Sequence, residues 1–393
     1  MENTLKMTDV FMFQLPKRII FGNGAIQQIG TEIKNLAVRK VIIITDSGIV
    51  KAGLLEGAIS SLKREGIQFE VFDKVIPEPP INVVEECTLI VKKEKFEGVV
   101  GFGGGSSIDT AKAVSFMATN DGNIRGYLGV NNVKQAGIPK IFVPTTAGTG
   151  SELSHTFVLT DEQSNAKITS YSPYVFADLS IIDPVLTLNL PPKVTAESGI
   201  DALSHALESY VTVRSNPLSE MFSLKGIEYI SKYLRQAYTK GTKLLEARYF
   251  MCLGVCMGTM AIRSSGVGAI HALCYPPGAK HHLSHGLAIA LMMPHVMQYN
   301  LISNLAKYAN VAEAMGEKIE GLSLYQAALR SVDAVNSLIR DVGIPQRLRD
   351  FGIKEEEFSQ FAEEIPKHYS HHLANNPRDL SIEEIKQIYR NAY

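Results

Sequence analysis

Short runs of apolar, β-branched residues punctuate the first half of the chain. Val41-Ile42-Ile43-Ile44-Thr45, Phe69-Glu70-Val71-Phe72, Gly98-Val99-Val100-Gly101-Phe102 and Lys140-Ile141-Phe142-Val143-Pro144 are each of strand length. Helical patterns lie between them, from Leu54 to Glu65 and from Asn82 to Glu94. Strands that are apolar on both faces and alternate with helices predict a mostly parallel sheet covered on each side. After Asp183-Pro184 the β-branched runs stop and helical spacing takes over, as at Phe222, Ile227, Ile230 and Leu234. Prolines at Pro191-Pro192, Pro217, Pro276-Pro277, Pro294 and Pro345 predict helix boundaries. The pattern predicts an α/β domain over residues 1–185 and an all-α domain over residues 186–393. With no long linker between them, the two are expected to pack directly and leave a cleft, a common place for a ligand.

Composition narrows the partners. Of 393 residues, 45% are hydrophobic and 20% charged, ordinary values for a globular protein with sizeable cores. The net charge of −1 supplies no electrostatic reason to expect nucleic acid or an anionic membrane. Four cysteines without a CxxC pair do not make a disulfide framework, and reduced thiols point to the cytoplasm. The first residues, MENTLKMTDVFMFQLPKR, lack the basic start, apolar run and cleavage site of a signal peptide. The longest apolar region, Met251 to Pro276, contains Arg263 and two serines and reads as a buried helix. A cytoplasmic protein with a small-molecule partner is expected.

Two loops carry candidate chemistry. Gly101-Phe102-Gly103-Gly104-Gly105-Ser106-Ser107 follows a strand and precedes a helix expected to start near Ile108. Glycines let a backbone approach a ligand closely, and the helix start offers free N–H groups, which together suit a pyrophosphate. The spacing is not GxGxxG. A tight turn with Ser106 as N-cap and Asp109 completing a capping box would use the same residues. After another strand, Pro144-Thr145-Thr146-Ala147-Gly148-Thr149-Gly150-Ser151-Glu152 offers hydroxyls and glycines that could line the same crevice at the carboxyl ends of parallel strands. Asp46, ending the first strong strand, could accept bonds from the ribose hydroxyls of an adenosine, or simply cap the next turn.

The histidines cluster. Asp201 and His205 are four apart on a predicted helix and share a face, which fits a hydrogen-bonded pair as well as a metal site. Gly268 to Gly286 holds four of the ten histidines. His271 lies on an apolar helix, Pro276-Pro277-Gly278 is expected to break it, and His285 opens the next one. Such a helix–turn–helix can bring His271 and His285 together. One carboxylate and three imidazoles make a donor set for iron(II) or zinc(II) rather than for calcium or magnesium.

Five ordered motifs, GGGSSIDTAK, PTTAGTGSE, GIDALSHALESY, GAIHALCYPPGAKHHLSHG and MMPHVMQYN, together resemble the iron-containing (group III) alcohol dehydrogenases. The resemblance runs over nearly the whole chain and ends with Asn375-Asn376-Pro377-Arg378. It implies an N-terminal dinucleotide-binding α/β domain and a C-terminal helical domain that binds metal and substrate, a two-domain architecture related to that of dehydroquinate synthase. It implies one divalent metal per chain on Asp201, His205, His271 and His285, iron(II) ahead of zinc(II). It implies NAD held by Gly103, Gly104, Gly105 and Ser106, with Thr145, Thr146 and Thr149 on the nicotinamide side and Lys167 at a ribose. Asp46 falls where an acidic residue favours NAD over NADP. A homodimer or larger homo-oligomer is expected.

The implied activity is reversible hydride transfer between a small alcohol and NAD, with a metal polarising the substrate oxygen. Three residues depart from the family pattern. Tyr275 stands where many members carry a histidine beside the substrate, and a phenol with a pKa of about 10 is no free base near neutrality. Glu78 stands where an asparagine is common. Lys280-His281-His282 adjoins the ligand His285 and could favour a substrate carrying an anionic group, or face solvent. Tyr275 and His281 are the candidate proton-relay residues. Two other classes share much of this pattern: an NAD- and metal-dependent cyclase or lyase of the dehydroquinate synthase kind, and a non-catalytic nucleotide- or metal-binding sensor.

Overall fold

The structure, a computed structural model, describes residues 10–163 and 166–393. The chain divides into two compact units, Leu15–Leu188 and Asn189–Tyr393, the latter joined by Val10–Gln14.

In the first unit β1 (Ile19–Phe21), β2 (Lys40–Ile44), β3 (Gln68–Phe72), β4 (Gly98–Gly103), β5 (Lys140–Pro144) and β8 (Leu179–Ile182) form one sheet, ordered β1-β8-β5-β4-β2-β3. All of its neighbouring pairs are parallel. Helices α1 (Ile29–Asn35), α2 (Ser47–Lys51), α3 (Glu56–Arg64), α4 (Ile81–Glu94) and α5 (Gly105–Met117) connect the strands. Alternation within the apolar runs accounts for two cores. Ile42, Ile44, Val99 and Phe142 pack on one face with residues of α4 and α5, whereas Val41, Ile43, Val100 and Ile141 pack on the other with α1 and α3. An antiparallel hairpin, β6 (Thr156–Asp161) and β7 (Ala166–Tyr171), stands apart from this sheet. From β2 the chain steps outward to β3 and then returns to the other side of β2 as β4. The carboxyl ends of β2 and β4 therefore flank the topological switch point, the preferred ligand position in such sheets.

The second unit is helical: α6 (Pro192–Val211), α7 (Pro217–Lys240), α8 (Leu245–Ser265), α9 (Ala269–Lys280), α10 (His285–Asn300), α11 (Leu305–Ala314), α12 (Leu324–Asp341), α13 (Phe358–His368), α14 (Ser370–Asn375) and α15 (Ile382–Asn391). Pro192 and Pro217 occupy first-turn positions, where a missing N–H costs nothing. The apolar α8 is long enough to cross a bilayer, but it is a core helix of this unit. Its Arg248 is buried, donating to Thr195 Oγ1 at 2.9 Å and the Leu190 carbonyl at 3.2 Å. The four cysteines are buried and joined by no disulfide.

Two of the expected helix boundaries are not there. α9 runs through Pro276 and Pro277, and α10 through Pro294. An interior proline leaves the carbonyl four residues earlier without its helical donor. For Pro277 that carbonyl is Leu273, and the Tyr389 hydroxyl of α15 donates to it at 2.7 Å. A tertiary hydrogen bond thus replaces the lost helical one, which no local pattern announces.

The approach of α10 to α6 depends on one glycine. A Cβ at Gly286 would lie 2.2 Å from the Glu197 carbonyl oxygen, so only hydrogen fits there. Gly286→Ala is expected to force the helices apart and lower stability by about 1–3 kcal/mol, the usual cost of overpacking, read as a lower midpoint of thermal unfolding.

Candidate metal centre and dinucleotide loop

α6 places Asp201, His205 and Glu208 along one buried face, at spacings of four and three residues. α9 carries His271 in its first turn, and α10 begins with His285, the exposed member of the group. Asp201 Oδ1 lies 3.7 Å from His205 Nε2, 4.0 Å from His271 Nε2 and 3.4 Å from His285 Nε2. Donor atoms of Asp201, His271 and His285 all fall within 4.8 Å of one another. His205 adjoins them, its ring stacked on His271 with centroids 5.0 Å apart. Neighbouring ligands of a tetrahedral ion with bonds of about 2.1 Å stand about 3.4 Å apart, so these separations suit donors converging on one cation.

The chemistry of the donors agrees. Asp201 Oδ1, His271 Nε2 and His205 Nδ1 are buried with no hydrogen-bond partner. A buried polar atom left so costs about 1–3 kcal/mol, more for a charged group, and a cation facing Oδ1 and Nε2 removes that cost. Burial holds His205 down to about 3, against the pull of Asp201, and puts His271 well below the ordinary imidazole range. Both rings are therefore neutral at pH 7 and keep a lone pair for a metal. The residues fit a divalent ion.

Glu208 belongs to the same cluster although it was not among the expected site residues. Its Oε2 lies 2.5 Å from His271 Nδ1, and its Oε1 accepts from the Ile270 N–H at 2.7 Å. Burial raises its carboxyl to about 8, opposed by backbone N–H donors. A helical face extended from Asp201 and His205 by one more turn would have found it.

Tyr275 joins this cluster by stacking. Its ring lies 5.8 Å from that of His285 and 4.7 Å from Tyr369, with His372 at 6.1 Å. Tyr369 and His372 sit almost a hundred residues downstream, and nothing in their local sequence points to this place. His372 is neutral, lowered to about 3 by burial and by His371 and His271 nearby. Lys280 and His281 meet one carboxylate: Glu357 lies 2.9 Å from Lys280 Nζ and 3.0 Å from His281 Nε2. The Lys280 ammonium also sits over the Phe361 ring. His282 is exposed and in the left-handed backbone region, with φ 53°.

The glycine loop lies at the carboxyl end of β4. Its helix starts at Gly105 with Gly104 as N-cap and no side-chain cap, so Ser106 is inside the first turn and not its cap. The alternative reading, a capping box, is absent because Asp109 is used elsewhere: it accepts from Ser151 Oγ at 2.5 Å and the Val158 N–H at 2.9 Å. The first-turn N–H groups thus remain uncovered by side chains. Gly103 has φ 146°, and a Cβ there would meet Ser107 Oγ at 2.6 Å. A Cβ built on Gly104 would lie 3.5 Å from Thr146 Cγ2, and one on Gly105 3.2 Å from Thr149 Oγ1. Thr145 is buried, its N–H donating to the Gly103 carbonyl at 3.0 Å. The two loops therefore form one cradle, open because it lacks side chains, which fits a pyrophosphate. Asp46 caps α2 through Oδ1, accepting from Gly48 N at 2.8 Å and Ile49 N at 3.1 Å, while Oδ2 faces the Gly103 turn. Lys167, on β7, pairs with Glu78 at 2.5 Å, and Glu78 itself has φ 57°.

Known proteins match this chain over nearly its whole length. Residues 16–184 match the model of iron-containing alcohol dehydrogenase, and residues 195–393 match the C-terminal model of the Fe-containing alcohol dehydrogenase family. The chain belongs to the iron-containing alcohol dehydrogenase family. It is 37% identical to long-chain-alcohol dehydrogenase 1 of Geobacillus thermodenitrificans (strain NG80-2), covering 96% of each chain. It is 34% identical to the NAD-dependent methanol dehydrogenase of Bacillus methanolicus, covering 97% of this chain and 99% of that one. The solved alcohol dehydrogenase from Oenococcus oeni superposes with a TM-score of 0.94 at 35% identity, over 98% of this chain and all of that one. Membership makes this chain an oxidoreductase acting on alcohols and aldehydes, with the parallel-sheet and helical units of that fold.

The Glu357 contacts carry a pH signature. Burial pushes its carboxyl up, but Lys280, the Lys354 N–H and His281 outweigh this and hold it at about 2. A depressed carboxyl stabilises above its unfolded pKa, about 4.3, and loses that contribution as pH falls toward the folded value. The stability difference between wild type and Glu357→Gln is expected to be full at pH 6, within about 1 kcal/mol for so accessible a pair, and to shrink below pH about 4. Urea midpoints of both proteins across that range test it.

Proposed function

We propose that this chain catalyses reversible NAD-linked oxidation of a small, uncharged primary or secondary alcohol at a single divalent ion. The observation that carries the reading is the convergence of three histidine Nε2 atoms on the buried, unpartnered Asp201 Oδ1. Asp201, His205, His271 and His285 hold the ion, iron(II) in preference to zinc(II), in the helical domain over residues 186–393. When bound, the ion supplies Lewis acidity to the substrate oxygen, and NAD supplies the hydride acceptor.

The protein's own residues bind and orient. Gly103, Gly104, Gly105 and Ser106 receive the pyrophosphate on backbone N–H groups in the domain over residues 1–185. Thr145, Thr146 and Thr149 line the nicotinamide side, Lys167 meets a ribose, and Asp46 Oδ2 takes ribose hydroxyls while its other oxygen is fixed by the α2 cap. Support for this placing of Asp46 is its proximity to the Gly103 turn. The Tyr275 ring, stacked between His285 and Tyr369, flanks the substrate and offers its hydroxyl as a hydrogen-bond donor. An uncharged substrate is favoured because Lys280 and His281 already share Glu357, leaving less positive charge for an anionic group. Relatives named for methanol and for long-chain alcohols leave the length of the substrate open. The working form is a cytoplasmic homodimer or larger homo-oligomer.

An NADH-absorbance screen over alcohols, diols, hydroxy acids and their aldehydes, with iron(II) or zinc(II) added to chelated protein, tests the reading. Net NADH formation on an uncharged alcohol is expected, and a fully loaded protein inert on the panel would refute it. His271→Ala and His285→Ala are each expected to lose bound metal and to lower kcat/KM by more than about 100-fold, since losing an outer-shell partner alone costs 10–100-fold. Metal analysis of the purified variants is the check. Asp46→Ala is expected to lower the preference for NAD over NADP, because it removes the carboxylate that repels a 2′-phosphate. The ratio of kcat/KM values with the two coenzymes reads this.

A further inference from the structure

We infer that Glu208 is the positioning residue of the metal centre: it holds His271 in the tautomer that presents a bare Nε2, and it fastens the start of α9 to α6. The inference rests on the proposed metal reading. Glu208 is buried, and its two oxygens point at different parts of one short segment, Oε2 at His271 Nδ1 (2.5 Å) and Oε1 at the Ile270 N–H (2.7 Å). The segment is closed over it. A Cβ at Gly268 would lie 3.2 Å from Glu208 Oε1 and 3.3 Å from Asn376 Oδ1.

The first N–H groups of α9 find their acceptors in distant residues. Ile270 uses Glu208 and Ala269 uses Asn376 Oδ1, at 3.3 Å. Asn375 Nδ2 holds the preceding loop by donating to the Ser265 carbonyl at 2.7 Å and the Val267 carbonyl at 2.9 Å. This gives the Asn375-Asn376-Pro377-Arg378 motif a place: it shapes the loop from which α9 starts. A carboxylate at a helix start also suits the helix dipole.

Tautomer control follows from donor counting. A neutral imidazole has one N–H and one lone pair. Burial favours the protonated carboxyl, but the positive charge of a divalent ion on His271 would favour the carboxylate. A carboxylate only accepts, so at Nδ1, 2.5 Å away, it takes the ring N–H and leaves Nε2 with the lone pair a metal needs. Glutamine has nearly the same shape but carries a donor. With its oxygen kept on the Ile270 N–H, its NH2 faces Nδ1, which must then accept, and the ring proton moves to Nε2 and blocks coordination. Turned the other way, its NH2 opposes the Ile270 N–H.

The test uses the full chain stripped of metal. Zn2+ affinity is measured by competition with a chromophoric chelator, Co2+ binding by its visible spectrum, and apo stability by thermal unfolding. Glu208→Gln is expected to weaken Zn2+ binding 10–100-fold, the range for outer-shell partners of metal histidines, and to alter the Co2+ spectrum without lowering the apo melting temperature. Wild-type affinity in Glu208→Gln, whether or not its apo stability falls, overturns the inference. Should Glu208→Gln fail to fold, Glu208→Asp serves, since it withdraws the carboxylate from Nδ1 by one methylene; weaker Zn2+ binding supports the inference and unchanged affinity overturns it. Wild-type protein that binds no Zn2+ or Co2+ would overturn the metal reading and this inference with it.

Discussion

The helical unit is organised around one buried carboxylate. Asp201 Oδ1 has three imidazole nitrogens within 4.0 Å and no hydrogen bond. Burial keeps His205 and His271 neutral, so those rings cannot balance its charge. Desolvating an unpaired carboxylate is expensive, and a cation among the same donors relieves it. Folding this unit therefore stores a cost that metal binding returns, which couples metal affinity to stability. The fold bears that cost because the four residues are delivered by three helices packed in one core.

That delivery depends on contacts between helices more than on helical propensity. Gly286, immediately after His285, lets α10 come against the Glu197 carbonyl. Pro276 and Pro277 would ordinarily end α9 five residues after His271. The Tyr389 hydroxyl accepts the role of the missing N–H at Leu273, and the helix continues to Lys280. The added turn carries Lys280 to Glu357 and leaves only a short connection to His285.

Much of this was legible in the sequence, and the reason differs from element to element. The strands at residues 41–45 and 140–144 are apolar on both faces, so their burial in a parallel sheet is written in composition alone. Asp201 and His205 share a face by helical spacing, and the structure brings His271 and His285 beside them. Misreadings fell where a distant residue overrides a local rule. At Pro277 the lost helical bond is replaced by Tyr389, more than a hundred residues away. The capping box at Ser106 failed because Asp109 serves Ser151 and Val158 instead. Lys280 and His281 likewise meet Glu357, more than seventy residues downstream, which their local sequence does not show. Tyr369 and His372 reach Tyr275 only through the packing of α13 and α14 beside α9.

The two candidate sites also differ in what makes them. The dinucleotide cradle is a backbone device: glycines keep side chains out, a helix start is left uncapped, and the threonine loop lies alongside. Such a site is specified by a contiguous stretch, because backbone conformation is set locally. The metal centre is a side-chain device whose ligands come from separated positions and whose orientation is set by further residues still. His271 is the case in point. Its position in the sequence identifies it as a ligand candidate, but which ring nitrogen is free depends on Glu208, and the path of its helix depends on Asn375, Asn376 and Tyr389. Backbone sites thus tolerate change around them, whereas a cluster of converging side chains extends its requirements outward, to residues that touch neither metal nor substrate.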